Sequence, residues 1–372
     1  MHGYLTKRDG LPNFSRKLAS GAVTVGYLGG SLTMMKEGWR PMFHAWLNKV
    51  HRRPVPHREL HVGRGGVGSA SGAFFVQDEI CAHDPDLVFV EYAINDSFDF
   101  ITPPALRMAA IEGIVRSIKT RHPACDICFV YMHHTLRSAE IGRVVDDCET
   151  IAAHYGIPSI HVGRYLIDLV AQGEWSFGGG TAVPALLRDT CHPLPPGNKL
   201  VTRLIANAVK DLLAASPLGD RELPAPLCAH PMVGGRVIPL APEMIRGSYE
   251  LKTGKVGNIE QEVARYSLAG DSHLEIHGDF TVAGLYLVVG PASGVIRVRS
   301  GSGTVERNLF DQWCSYERIS TCILVNSPEE LRVPERAMTI ELTDQPPDYS
   351  VCPKLETIPP YLSLDVVGLF VV

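Results

Sequence analysis

The sequence predicts an α/β domain with a three-layer parallel sheet, followed by a second domain that is an all-β sandwich. Two observations lead to this prediction. In the first part of the chain, apolar runs alternate with helix-like segments, as in a parallel sheet with helices on both faces. Beyond about residue 232, short alternating runs are separated by turn residues, which is typical of an antiparallel sandwich. The 372 residues are enough for two such domains.

The predicted strands of the first domain are short and apolar. The run 86–93 is apolar along most of its length, as expected of a strand buried on both faces. We expect strands over 23–28, 59–62, 86–93, 127–132 and 157–161.

The predicted helices lie between these strands. Pro41 and the pair Pro103-Pro104 suit first helical turns, and Ser138 is a candidate N-cap. We expect helices over 39–50, 70–81, 103–120, 138–155 and 197–214.

The second domain has no helical periodicity, and its strands are expected to pack as a jelly-roll-like sandwich. A proline-rich stretch precedes it. We therefore expect domains over 1–215 and 232–372, with a linker over 216–231. Strands are predicted over 273–277, 284–289, 295–299, 321–325 and 338–342.

Composition excludes several classes of function. The net charge is −5 with histidine neutral, and no block of lysine and arginine occurs, so we expect no nucleic-acid partner. No long apolar run predicts a membrane span. The opening MHGYLTKRDG lacks the apolar core of a secretory signal, so a cytoplasmic location is expected. The nine cysteines are scattered and are expected to be mostly free, buried thiols.

Reactive side chains follow several predicted strands. Ser31 follows the first strand, a glycine-rich loop (61–69) follows the second, and Asn95 follows the third. Asp189 and His192 stand just ahead of the last helix. Ligands of parallel sheets bind beyond the carboxyl ends of the strands, so these residues are expected to converge.

The chemistry of these residues is complementary. A serine hydroxyl becomes nucleophilic when a base such as histidine takes its proton, and a carboxylate can orient that histidine. Asp189 precedes His192 by three residues, so one loop can present both. A glycine N–H and an asparagine amide are suitable donors to a developing oxyanion.

Four segments in order resemble the SGNH/GDSL hydrolase family, over about residues 20–215. They are Gly-Gly-Ser after the first strand, the glycine-rich loop, Ile-Asn-Asp after the third strand and Asp-x-x-His-Pro before the last helix. The resemblance implies a flavodoxin-like fold, a nucleophile at Ser31, and His192 and Asp189 as its partners. It also implies an oxyanion hole of Ser31, Gly66 and Asn95, with Gly65 and Gly68 as neighbouring candidates.

Two positions depart from the family pattern. Gly30 stands where the family name implies aspartate, and Ile94 stands where glycine is often found. Neither change removes a member of the triad. We expect Ile94 to alter the shape of the donor loop or the acyl pocket.

The resemblance and the added β domain imply an esterase that removes small acyl groups, above all acetyl groups, from carbohydrate. No metal or organic cofactor is expected. One alternative is an O-acyltransferase that uses the same acyl-enzyme on a sugar hydroxyl. Another is a carbohydrate-binding protein with a vestigial hydrolase site.

Each candidate residue also has a structural interpretation. Ser31 could cap a helix, Asn95 could form an Asx turn, and Asp189 could cap a local turn. The adjacent histidines His133 and His134 point in different directions in extended backbone, which disfavours a shared metal. In the β domain, a polar and aromatic cluster could contact a sugar or pack as a loop. Its members are Asp311, Trp313, Tyr316, Glu317 and Arg318.

Overall fold

The computed structural model describes residues 3–180, 182–214, 222–257, 262–301, 303–332 and 337–372. The chain divides into two compact units, Met1–Gly234 and Gly235–Val372. The first is an α/β unit and the second is an antiparallel β-sandwich, so the predicted fold class is confirmed.

The first unit contains a six-stranded sheet in the order β1-β6-β5-β4-β2-β3. Strands β2 to β6 pair in parallel, as predicted, whereas the two-residue edge strand β1 is antiparallel and was not predicted. The strands are β1 (Leu5–Thr6), β2 (Thr24–Gly29), β3 (Arg58–Gly63), β4 (Leu87–Glu91), β5 (Asp126–Val130) and β6 (Ser159–Ile160).

The helices of this unit form two packed groups. Helices α1, α3, α8 and α9 belong to one group, and α4, α6 and α7 belong to the other. Helices α2 and α5 are single turns that follow β2 and β4. The helices are α1 (Pro12–Ser20), α2 (Ser31–Met34), α3 (Trp39–Val50), α4 (Ser69–Glu79), α5 (Ala93–Asp96), α6 (Arg107–Arg121), α7 (Ser138–Tyr155), α8 (Val162–Ala171) and α9 (Pro195–Leu213).

The first turns of these helices are stabilised in some cases by local residues and in others by side chains from distant parts of the chain. Helix α9 begins with Pro195, which suits a first turn because proline lacks the N–H that would be unpaired there. Ser138 is the first residue of α7 and makes no side-chain cap, so its predicted role as N-cap was wrong. At α4 the Ser69 N–H donates to Asp96 Oδ1 at 2.8 Å, a cap from another part of the chain.

Register places the reactive segments side by side. Gly29, the last residue of β2, pairs with Gly63 on β3 and with Glu91 on β4. All three strands therefore end at the same edge of the sheet. The segments that follow them, including Ser31 and Asn95, emerge there together.

The second unit packs two antiparallel sheets face to face around an apolar core. One sheet has the order β15-β12-β17-β10-β9, with β7 also pairing with β17, and the other has the order β14-β13-β16-β11-β8. The strands are β7 (Arg236–Pro239), β8 (Ile245–Arg246), β9 (Tyr249–Lys255), β10 (Glu262–Leu268), β11 (His273–His277), β12 (Val282–Val289), β13 (Val295–Ser300), β14 (Gly303–Asn308), β15 (Arg318–Ile323), β16 (Ala337–Leu342) and β17 (Leu364–Val371).

A strap of residues 222–234 packs on helix α6 within the first unit. The buried Glu112 carboxylate accepts the Leu227 and Cys228 N–H groups at 2.6 and 2.7 Å. Arg116 donates to the Pro224 carbonyl at 2.8 Å. Residues 216–221 of the expected linker lie outside the described residues, and the remainder of that linker belongs to this strap.

Within the described ranges, none of the helices has both the length and the apolar content that a membrane span requires.

Candidate active site

Ser31 is the first residue of helix α2, directly beyond β2. The two glycines before it allow close packing. A Cβ atom on Gly29 would lie 2.5 Å from Thr33 Oγ1 and 2.7 Å from the Glu91 carbonyl oxygen, and one on Gly30 would overlap the Asn95 amide. Gly30 has an ordinary φ of −84°, so the absence of a side chain, and not a left-handed turn, explains this glycine.

A continuous line of hydrogen bonds joins Ser31, His192 and Asp189. The Ser31 Oγ atom lies 2.8 Å from His192 Nε2. On the other side of the ring, Nδ1 lies 3.0 and 2.9 Å from the two Asp189 carboxylate oxygens. With the Nδ1 proton on the Asp189 side, Nε2 is free to accept the serine proton.

Local backbone contacts keep Asp189 ionised. Its Oδ1 accepts the N–H groups of Cys191 and His192 at 3.0 and 2.9 Å. Partial burial opposes ionisation, but these N–H groups and the His192 ring outweigh it and lower the pKa of Asp189 to about 2. Asp189 is therefore a carboxylate at neutral pH and can stabilise a positive imidazolium.

Asn95 lies beside the Ser31 turn. Its Nδ2 atom donates to the Val67 carbonyl at 2.6 Å, and it occupies the space that a side chain on Gly30 would need. An amide nitrogen has two hydrogens, so this bond leaves the second for another acceptor. The departure at Gly30 now has a physical reason, because an aspartate there would displace Asn95.

The glycine-rich loop after β3 passes both Ser31 and Asp96. A Cβ atom on Gly65 would lie 3.8 Å from the Ser31 Cβ, whereas one on Gly68 would lie 2.5 Å from Asp96 Oδ1. Gly66 stands between them with a left-handed φ of 71°, which favours glycine. The loop thus brings Gly65 to the serine, and the oxyanion role of Gly66 stays a prediction.

Ile94 is buried in α5, with 4% of its surface exposed. Its carbonyl accepts the Ser97 N–H at 3.1 Å and the Ser97 hydroxyl at 2.6 Å. These bonds stabilise the turn that carries Asn95 and use only the backbone carbonyl of residue 94, so the expected effect of the Ile94 side chain on the loop or the acyl pocket stays a prediction.

His133 and His134 diverge, as the sequence predicted. His133 stacks on Phe177 with ring centroids 4.5 Å apart, and burial, followed by the His134 charge, lowers its pKa to about 4. His134 Nε2 lies 3.1 Å from Thr190 Oγ1, on the loop that carries Asp189. His134 therefore contacts the loop that carries Asp189, whereas His133 packs against Phe177.

One group of potential metal ligands lies at this site in the described residues. Donor atoms of Asp189, Cys191 and His192 lie within 4.8 Å of one another. Two of these residues already take part in the Ser31 hydrogen-bond line. Burial, with the Asp189 and Glu91 charges, raises the pKa of the Cys191 thiol to about 12.

Sequence reasoning missed Glu91 and Thr33. Glu91 ends an otherwise apolar strand, with 2% of its surface exposed, and accepts the Thr33 hydroxyl at 3.0 Å. The signal that could have revealed Glu91 is a carboxylate at the end of an apolar strand, since a carboxylate is almost never fully buried unless it has a partner.

The candidate residues of the β unit fall into two groups. Asp311 forms an ion pair with Arg318 and accepts the Trp313 N–H at 2.9 Å. Tyr316, 51% exposed, lines a separate cavity of about 240 Å³ together with Glu317. Other residues of this cavity are Val288, Val289, Gly290, Pro291, Ala292, Ser293, Ser363 and Asp365.

Comparisons with known proteins identify the fold. No protein-family model matches the chain. No curated protein matches it in sequence. A solved two-domain esterase, CEX, described as active on acetylated mannans and co-crystallised with mannopentaose, matches with a TM-score of 0.73 and 18% identity, over 99% of this chain and 96% of that chain. A second structure of that esterase gives 0.71 and 17%, over 99% and 98%. At these identities the similarity establishes a shared two-domain fold.

Proposed function

We propose that the protein is a serine esterase of the SGNH/GDSL type that removes small acyl groups, above all acetyl groups, from carbohydrate. The observation that carries this proposal is the line of hydrogen bonds from Asp189 through His192 to the Ser31 hydroxyl. This line joins residues 161 positions apart in the chain, and it provides a nucleophile, a base and a group that orients the base.

The reaction begins when His192 Nε2 takes the Ser31 proton while Oγ attacks the ester carbonyl carbon. The negative charge that forms on the carbonyl oxygen is held by the N–H groups of Ser31 and Gly66 and by the Asn95 amide. The imidazolium then protonates the departing alcohol, which leaves an acyl group on Ser31. Water, activated by the same histidine, releases the acid and restores the serine.

The carbohydrate substrate is proposed from the whole-chain fold. The esterase CEX, which is described as active on acetylated mannans, has both of the units found here. In the β unit, Tyr316 offers an exposed aromatic ring beside the Glu317 carboxylate at a cavity. Such rings can stack on the apolar face of a sugar. We therefore assign Tyr316 the most direct role in substrate binding among the β-unit candidates.

The proposal is tested with acetylated mannan oligosaccharides, acetylated xylan oligosaccharides and 4-nitrophenyl esters of two to eight carbons. Wild type is expected to favour acetyl esters, and Ser31→Ala to lose about 10⁶-fold in kcat with an unchanged circular dichroism spectrum. A fluorophosphonate probe should label wild type and leave Ser31→Ala unlabelled.

The same assay separates the alternatives. Faster transfer of acetyl to an added sugar than to water would favour an O-acyltransferase. Absence of both labelling and turnover in the folded wild type would contradict the esterase and favour a binding protein.

A further inference from the structure

A buried carboxyl group that the triad chemistry does not use lies under the Ser31 turn. Glu91 accepts the Thr33 hydroxyl through Oε2 at 3.0 Å. Its backbone carbonyl accepts the Gly30 N–H at 3.2 Å. The side chain and the backbone of one residue thus hold both ends of the segment that contains Ser31.

Helix α2 depends on such outside support because it is a single turn. Its N-cap, Gly30, has no side chain, so the helix has no side-chain cap of its own. Arg40 also stabilises this turn, because its Nε donates to the Thr33 carbonyl at 2.8 Å. Thr33 is fully buried, so the loss of its partner would leave a polar group unpaired in the interior.

The protonation state of Glu91 follows from its surroundings. Burial raises the pKa of its carboxyl group to about 8, and hydrogen bonds from Thr33 and the Gly30 N–H offset that rise only in part. The nearby Asp96 charge raises it further. At neutral pH the group therefore carries a proton.

We propose that Glu91 is a positioning residue that must be protonated to hold Ser31 in its reactive geometry. The proposal rests on the proposed function, because it concerns how the Ser31 hydroxyl is presented. Glu91 touches neither the substrate nor the reacting atoms, and it acts through Thr33 and the backbone of the turn.

Ionisation of Glu91 would weaken the site for an electrostatic reason. The proton leaves to solvent, and a negative charge then stays beneath the N-terminus of α2. The Ser31 N–H that is proposed to hold the oxyanion belongs to this same turn. A fixed negative charge in a poorly hydrated interior opposes a second one forming nearby.

The charged groups around Glu91 come from several elements. Asp96 on α5 and the Cys191 thiol on the 189–192 loop interact with its charge. Arg40 on α3 reaches the far side of Thr33 but is already paired with Glu59. On strand β2, the residue paired with Glu91 is the uncharged Gly29. Since Glu59 already occupies the Arg40 guanidinium, that cation is not free to pair with Glu91.

The test compares wild type with Glu91→Gln, Glu91→Leu and Glu112→Gln. The glutamine amide would mimic the protonated acid, and the leucine side chain would remove the polar contact. The Glu112 variant alters another buried glutamate in the same unit, on helix α6. Two rates are measured from pH 6 to 9.5: fluorophosphonate labelling, in which Ser31 Oγ displaces fluoride from phosphorus, and 4-nitrophenyl acetate hydrolysis. Ser31→Ala gives the background for both.

The wild-type rates are expected to fall about tenfold between pH 7 and pH 9, as the protonated fraction does for a pKa near 8. Glu91→Gln should stay within about threefold of wild type at pH 6.5 and lose this fall. Glu91→Leu should be about tenfold slower than wild type in kcat at pH 6.5, with little change in KM and without the alkaline fall. Glu112→Gln should keep the wild-type profile.

Thermal unfolding gives a readout that does not depend on activity. A buried acid whose folded pKa lies above its unfolded value binds more protons when folded, so wild type should lose stability from about pH 4.5 to pH 8. Glu91→Gln should lose less over this range. An alkaline fall that survives in a folded, reactive Glu91→Gln would overturn the role of Glu91 alone. A folded wild type that reacts with neither probe would overturn the proposed function as well.

Discussion

Two polar clusters in this molecule each contain an aspartate, and they differ in how far apart in the chain their members lie. Around Ser31, a loop that lies far along the chain supplies both a histidine and a carboxylate, and the three side chains line up in one series of hydrogen bonds. In the β unit, Asp311, Trp313 and Arg318 are close in sequence. There the Asp311 carboxylate already pairs with Arg318 and with the Trp313 N–H.

This difference shows how a functional polar cluster can be distinguished from a structural one. Neighbouring residues of opposite charge can satisfy each other, so the cluster of Asp311, Trp313 and Arg318 has a sufficient structural explanation. The Ser31 cluster has no local explanation, because a loop about 160 residues away must fold back to supply its base. Convergence from distant segments is thus the stronger indication of chemistry. The predictions below test this contrast, from the largest expected effect to the smallest.

Among the variants that keep Ser31, the largest effect is expected from Asp189→Asn. An amide at this position can hold His192 in the wrong tautomer and cannot stabilise its positive charge, so kcat should fall about 10⁴-fold. Steady-state kinetics on an acetyl ester would measure this loss. Arg188→Gln is the control, because its guanidinium lies near the Asp189 carboxylate, 3.4 Å away, but is outside the triad. Equal losses in the two variants would contradict the assigned roles.

Asn95→Ala should come next, with a loss of about 10²- to 10³-fold in kcat. The alanine removes the amide proposed as an oxyanion donor while leaving the triad in place. Fluorophosphonate labelling and ester hydrolysis should both slow down. An Asn95→Ala enzyme with wild-type kcat would show that this amide holds only the Val67 carbonyl.

Gly30→Ala should reduce kcat about tenfold, because the new methyl group would overlap the Asn95 amide. Gly21→Ala is a matched control, since a Cβ atom there meets no atom within 4 Å and its φ is −171°. Hydrolysis rates and melting temperatures of both variants separate loss of catalysis from loss of folding. If both variants keep wild-type rates, close packing is not the reason for Gly30.

Tyr316→Ala should have the smallest effect, a rise of about two- to tenfold in KM for acetylated polysaccharide, as for the loss of one aromatic contact. KM for 4-nitrophenyl acetate should not change. Asp311→Asn is the matched control from the self-satisfied cluster and should leave both KM values unchanged. If Asp311→Asn raised KM for the polysaccharide more than Tyr316→Ala did, the assignment of substrate contact to Tyr316 over Asp311 would be wrong.

The sequence predicted the parts of the fold that have strong local periodicity. Strands β2, β4 and β5 are continuous apolar runs, and their order along the chain was sufficient to predict the parallel sheet. Strand β9 was missed because it is largely exposed and its residues, Tyr249–Lys255, lack an apolar face. Its pairing with β10 depends on tertiary contacts, which the local composition does not determine.

The candidate site was predicted by residue type more easily than by geometry. Ser31, His192 and Asp189 could be named because only a few residue types suit each role. Gly65, Gly66 and Gly68 are identical letters, and only the folded loop separates the one beside Ser31 from the one beside Asp96. Glu91 was missed because its contacts with Thr33 and Gly30 exist only in the folded chain, and the sequence does not show them.

The strap over 222–234 has a consequence for where the first unit ends. The Glu112 carboxylate receives two N–H donors from that strap, at Leu227 and Cys228, and it is wholly shielded from solvent. A fragment cut after helix α9 would remove both N–H donors from this carboxylate and leave the Tyr155 hydroxyl as its remaining partner from these contacts. A fragment designed to contain the whole first unit should therefore extend to Gly234, so that it includes the strap.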